Sequence, residues 1–116
     1  MLGEFEQFVM LALMRLGEDA YGVLVQEEIE WRSSRPVSAG TVYRALLRLE
    51  TKELVESWEG EPTAERGGRR KRHYRVLPAG RRALSDSLEA LGRMMDGLEG
   101  LSGLRPSGAG GGRRGR

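Results

Sequence analysis

The side chains with the most distinctive chemistry in this sequence are Thr41, Arg44, Arg48 and Lys52, which recur at three, four and four residues. That spacing lays them along one side of a helix. Val42, Leu46 and Leu49 recur at four and three on another side, the pattern of a face that packs inward. No acid interrupts the stretch from Ser38 until Glu50. Guanidinium, ammonium and hydroxyl groups in one strip donate to phosphate oxygens and to purine edges. A short helix with one buried face and one basic face is what a major groove accepts. A solvated basic surface helix is the competing reading of this stretch taken alone.

The residues within it divide by chemistry. Ser38 can accept a hydrogen bond from an orphan backbone N–H in the first turn. Ser38, Gly40 and Thr41 stand at the helix start, where N–H groups and hydroxyls favour phosphate. Tyr43 lies at the edge of the buried face, so its ring can pack while its hydroxyl reaches a phosphate. Arg44 and Arg48 are placed to read base edges, each specific contact contributing about 1–3 kcal/mol.

A second basic group follows. Residues 66–82 hold Arg66, Arg69, Arg70, Lys71, Arg72, Arg75, Arg81 and Arg82 with no acid, whereas residues 1–31 hold Glu4, Glu6, Glu18, Asp19, Glu27, Glu28 and Glu30 against Arg15 alone. The net charge of +2 hides this separation, which marks a basic surface aimed at an anionic polymer. Arg69, Arg70, Lys71 and Arg72 are the expected second contact to nucleic acid, with Arg66 a weaker candidate.

Composition removes other chemistries. There is no cysteine, so disulfides, thiolate metal sites and cysteine nucleophiles are excluded. His73 is the single histidine and receives no role; a metal site needs several such ligands. No glycine-rich phosphate loop joins a strand to a helix, and no carboxylate cluster suggests a pocket, so neither an enzyme nor a cofactor is expected. No apolar run reaches the roughly 18 residues of a membrane span. Glu4 and Glu6 precede the first apolar run, opposite to a signal peptide, so a cytoplasmic location is expected.

The elements that must position these residues are legible in outline. Residues 4–16 read as a first helix, apolar nearly all round and ended by Gly17. Asp19 is expected to cap a second helix reaching Trp31, with Tyr21, Leu24, Val25 and Ile29 inside and Glu27, Glu28 and Glu30 outside. Residues 32–36 break the chain before Pro36, and Val37 is expected to add a short extended pairing. The basic helix runs from Ser38 to Lys52. Residues 54–58 and 71–77 read as strands of a hairpin, with Tyr74 and Val76 on one face and His73 and Arg75 on the other. Pro78 opens a last helix to about Leu98. Its Leu84, Leu88, Leu91, Met95 and Leu98 recur as a heptad-like seam. That seam and the over-apolar first helix, through Phe5, Phe8 and Val9, are the expected homodimer interface. Residues 102–116 are rich in glycine and are expected to be a disordered Gly/Arg tail.

Helix, helix, helix, hairpin, helix is the order of a winged helix-turn-helix with a C-terminal extension. The fold class expected is mainly α with a small β-hairpin. The expected division is a winged DNA-binding domain over 3–77, a dimerisation helix over 78–101 and the tail.

The sequence also resembles the PadR family of transcriptional regulators, specifically its short members with one C-terminal helix. The signature Ser-x-Gly-Thr-hydrophobic-Tyr-x-x-Leu-x-x-Leu-Glu is matched by Ser38, Gly40, Thr41, Val42, Tyr43, Leu46, Leu49 and Glu50. Weaker matches are the apolar run 8–14 followed by Tyr21-Gly22, the basic-then-Tyr strand 70–74, and Pro78, Gly80 and Arg81. Together they span about residues 3–98. The family often has Gly where Glu53 stands, so the cap of the basic helix is expected to be looser, and Leu77 replaces the usual Thr that caps the last helix. The resemblance implies a homodimeric repressor of a near-palindromic DNA operator. A non-enzymatic protein-interaction adaptor, working through the acidic second helix and the leucine seam, stays open as the alternative. Some short PadR-like proteins bind aromatic molecules between subunits, so a small-molecule effector, unidentified, is a further partner that the resemblance implies. Trp31 and Trp58 are expected to serve ordinary packing.

Overall fold

A computed structural model describes residues 2–61 and 71–100. It contains α1 (Glu4–Leu16), a 3₁₀ turn (Gly17–Asp19), α2 (Gly22–Ser33), α3 (Ala39–Thr51), β1 (Val55–Glu59), β2 (Arg72–Val76) and α4 (Pro78–Met95). β1 and β2 pair antiparallel, from Val55 opposite Val76 to Glu59 opposite Arg72. This is the expected winged helix-turn-helix with a trailing helix. Arg66, Arg69, Arg70 and the tail 102–116 lie outside the described residues.

The breadth of the apolar surface on α1 follows from its central place. It touches α2, α3, β2 and α4. Val9 and Met10 are fully buried, as are Val25 of α2, Val42, Leu46 and Leu49 of α3 and Val55 of β1. Removing each such side chain from water contributes about 1.5–3 kcal/mol, which fixes the angle of α3 on the other helices. Val9 and Leu84, expected at a subunit interface, are instead core residues of a single chain. The heptad spacing placed Leu84 on the seam, but the first turns of α4 lie against the chain's own body. From Leu88 onward α4 leaves that body, and Leu88, Leu91, Met94 and Leu98 are exposed.

Asp19 does not cap α2. It closes the 3₁₀ turn, and α2 starts at Gly22 with Tyr21 as its extended N-cap residue. The reason is a competing partner: Tyr74 N–H donates to the Ala20 carbonyl at 2.9 Å, and Tyr21 forms a bridge with His73. Residues 20 and 21 are thereby drawn out of the helix as a short third pairing on the hairpin. Val37, by contrast, forms no strand pairing. Its N–H donates to Glu30 Oε2 at 2.9 Å and its carbonyl accepts from Gln26 Nε2 at 2.8 Å. Glu30 therefore faces the turn between α2 and α3, not open solvent, and two α2 side chains fix where α3 begins.

The end of α3 closes fully despite Glu53. Lys52 is the cap residue; Glu53 N–H donates to the Glu50 carbonyl and Leu54 N–H to the Leu49 carbonyl, both at 2.9 Å. This is a complete Schellman motif. It requires a left-handed residue, and Glu53 supplies it at φ 62° with a Cβ that glycine would lack. Leu77 gives α4 no side-chain cap, but its N–H donates to the Leu54 carbonyl at 2.9 Å and ties the start of α4 to the end of the α3–β1 turn. Close by, a Cβ on Gly80 would lie 2.2 Å from that same carbonyl oxygen, so α4 can sit this near β1 only through glycine. We expect Glu53→Gly to stabilise the fold by about 1 kcal/mol, read as a higher urea midpoint with unchanged m-value.

Candidate nucleic-acid interface

The exposed side of α3 is set by what its other side buries. Ser38 caps the helix: its Oγ accepts from Thr41 N–H at 3.1 Å and lies 2.8 Å from Thr41 Oγ1. Arg44 leans back over this first turn. Its Nη2 is 3.4 Å from Thr41 Oγ1, and a Cβ on Gly40 would lie 3.2 Å from its Nη1. Gly40 thus leaves room for the Arg44 side chain beside the helix start.

Tyr43 stands on the flank towards α2, 46% exposed. A Cβ on Gly22 would meet the Tyr43 hydroxyl at 2.2 Å, so the ring occupies the space that Gly22 leaves. The two parts of the sequence pattern, Tyr21-Gly22 and Tyr43, are therefore one packing unit. Beneath it Tyr74 is buried, and burial pushes its hydroxyl pKa up, with Tyr43 and Glu50 adding to the effect.

Arg48 and Lys52 occupy the opposite flank, against the start of α1. Arg48 Nε and Lys52 Nζ each donate to Glu6 Oε2 at 3.2 Å. Glu6 is the one buried charged residue among the described residues, its side chain 7% exposed. Its Oε1 also accepts from Gly3 N–H at 3.1 Å, the acceptor half of a capping box. Burial pushes the Glu6 pKa up, but the Gly3 N–H, Lys52 and Arg48 outweigh it and hold the carboxyl below its ordinary value. The spacing of α1 alone could not reveal this partner; the signal available was an acid three residues after a helix start.

Leu47 is a second residue that sequence reasoning missed. It is 64% exposed, and it is one helical turn from Tyr43 and adjacent to Arg44 and Arg48 on the open face. A leucine spaced outside the Val42, Leu46 and Leu49 stripe was the visible sign.

The hairpin is clamped to the same body from both sides. Ser57 Oγ donates to Glu50 Oε2 at 2.6 Å and accepts from Arg72 Nη1 at 2.9 Å. On the other side His73 lies between two rings, stacked on Trp58 at 5.7 Å and edge-on to Tyr21 at 5.5 Å, with Nδ1 3.1 Å from the Glu18 carbonyl oxygen. Lys71 Nζ is 3.4 Å from the Tyr21 hydroxyl and sits over its ring. His73, given no role from sequence, joins the hairpin to the α1–α2 turn. Trp58 packs in part, as expected. Trp31 does not: it is 72% exposed, with the Arg32 guanidinium 4.8 Å from its ring centroid.

Thus Arg44 and Leu47 share the open side of α3, with Arg48 at its α1 edge and Thr41 half-buried at its start, while Arg72 begins β2 just after Lys71. The transcriptional regulator PadR-like family matches residues 10–86, which include α2, α3 and both strands whole, with the second half of α1 and the first half of α4. This chain belongs to the PadR-like family. An uncharacterized protein from Lysinibacillus sphaericus is 32% identical over 93 residues, covering 72% of this chain and 83% of its own length. A transcriptional regulator from Clostridium thermocellum shares the fold at TM-score 0.65 and 22% identity, covering 78% of this chain and 84% of that one. A PadR family transcriptional regulator from Eggerthella lenta is similar at TM-score 0.55 and 25% identity, covering 82% and 88%. As a PadR-like protein the chain is a DNA-binding transcriptional regulator and not an enzyme. No helix among the described residues is long and apolar enough to cross a membrane.

The depressed Glu6 pKa has a pH consequence. A carboxyl held lower in the fold than in the unfolded chain stabilises fully above its unfolded value, about 4.3, and loses that contribution as pH falls through the folded value. Its cation partners are 51% and 46% exposed, so solvent screens the pairs. Glu6→Gln should cost about 1 kcal/mol at neutral pH. Urea titrations of both proteins should show that gap closing below about pH 4.

Proposed function

We propose that this PadR-like regulator is a cytoplasmic homodimeric repressor whose α3 enters the major groove of a near-palindromic operator. The observation that carries the reading is the exposed side of α3, where Arg44 and Leu47 point outward above a fully buried stripe and Arg48 lies exposed at its α1 edge. Arg44 and Arg48 hydrogen-bond base edges, and Leu47 meets a thymine methyl. Ser38, Gly40, Thr41 and Tyr43 seat the helix on phosphate. Arg69, Arg70, Lys71 and Arg72 contact the flanking backbone from the wing. Replacing both Arg44 and Arg48 with Ala should abolish operator binding in a mobility shift while leaving the circular dichroism spectrum unchanged. A normal shift with that double variant refutes the assignment of α3.

The dimer reading rests on two surfaces left open among the described residues. One is the exposed row Leu88, Leu91, Met94 and Leu98 at the end of α4. The other is an open groove between α1 and α2, where Phe8, Leu11, Ala12 and Ile29 lie among Arg15, Glu28, Arg32 and Ser33. The far half of α4 in one subunit lies along α1 of the other, with Phe5, Phe8, Leu88, Leu91, Met95 and Leu98 in the seam. Two recognition helices then face successive major grooves. A small-molecule effector would act on the same seam. Sedimentation should give a dimer at micromolar concentration, and Leu88→Glu with Leu91→Glu should give a folded monomer with lost operator affinity.

A further inference from the structure

The reading of α3 as the base-contacting helix leaves unexplained why a carboxylate is buried against its basic flank. We propose that Glu6 is a positioning residue for DNA reading. It holds Arg48 by Nε, so that the two terminal guanidinium nitrogens face a guanine edge.

Arginine has five N–H donors in a planar fork, and a bidentate guanine contact uses two of them. Among the described residues the Arg48 guanidinium makes one hydrogen bond, from Nε to Glu6. Its side chain is half exposed, so the outer edge of the fork remains accessible. A long side chain otherwise loses rotamer freedom when it docks, and an arginine already held by Nε loses less.

Glu6 is itself held rigidly enough to serve. It accepts from Gly3 N–H at Oε1 and from Arg48 at Oε2, and Lys52 Nζ spans both oxygens at 3.4 and 3.2 Å. Its backbone is in the first turn of α1, whose Val9 and Met10 are fully buried. The carboxylate therefore cannot follow Arg48 to another position. It also cancels one of two adjacent positive charges, and free cations attract phosphate whatever the sequence. Glu6 thus raises discrimination in two ways: it aims one donor pair and lowers the affinity for random DNA.

The test compares the full chain with Glu6→Gln, Arg48→Ala, the double variant and Arg48→Lys. Gln keeps an oxygen for Gly3 N–H, and thermal unfolding checks each protein. Binding is measured to an operator selected from a random pool, to its single-base variants and to random DNA, across a range of NaCl. With Glu6→Gln, random-DNA affinity should rise and the log K–log salt slope should steepen by about 1. Discrimination at one G·C pair should fall about tenfold. Arg48→Ala should lose the same pair, and adding Glu6→Gln to it should cause no further loss there. Arg48→Lys, which keeps the charge without the fork, should lose discrimination at that pair while binding random DNA normally; if it keeps that discrimination, the role is overturned without reliance on any Glu6 variant.

If Glu6→Gln weakens all sequences by one factor with an unchanged slope, Glu6 is only a brace between α1 and α3. If the Glu6 and Arg48 variants affect different base pairs, the proposal also fails. In both cases a selective wild type preserves the reading of α3. A wild type that binds every sequence alike overturns both.

Discussion

The interaction on which the rest depends is the burial of Val42, Leu46 and Leu49 beneath α1 and α2. A helix has only one circumference, so fixing that stripe decides what every other residue of α3 can face. Gly40, Arg44 and Leu47 are left pointing away from the body. Tyr43 falls on the α2 flank, where Gly22 receives its ring, and Arg48 on the α1 flank, where Glu6 receives its Nε. The two flanks are thus locked by different chemistry, one by ring packing and one by charge. The open strip between them is kept free.

Most of this was legible in the sequence, and for identifiable reasons. Periods of three and four located the buried stripe because burial is what selects them. Ser38 declared the helix start because few other residue types satisfy an orphan N–H there. Asp19 misled because a good capping residue is also a good turn residue, and the choice was made by Tyr74 reaching the Ala20 carbonyl from more than fifty residues away. Val37 misled for a similar reason: two side chains of α2, not a strand, satisfied its backbone. The Leu84 to Leu98 seam read as uniform, yet the body of the chain covers its first member, while Met95 is half-buried and Leu88, Leu91 and Leu98 are exposed. Periodicity identifies a face but not the length over which a neighbour covers it.

The charges follow the same division. The pairings of Glu6 with Arg48 and Lys52 are long-range in sequence, and with the bridge from Ser57 to Glu50 and Arg72 they pull α1, α3 and the hairpin together. Pairs such as Glu28 with Arg32 stay within one helix and contribute little to the arrangement. Residue types alone separate an acidic first third from a basic middle. Only the fold shows that one acid of the first third is spent on two cations of α3.

The two-sided clamp on the hairpin carries a mechanical consequence. His73 ties β2 to the α1–α2 turn, and the Ser57 bridge ties β1 to α3. These contacts fasten α3 and the base of the hairpin to one another. Beyond Leu84, past the close contact at Gly80, α4 leaves the body. In the dimer proposed above, a change in the pitch of that protruding shaft would alter the distance between the two heads without disturbing the contacts within either.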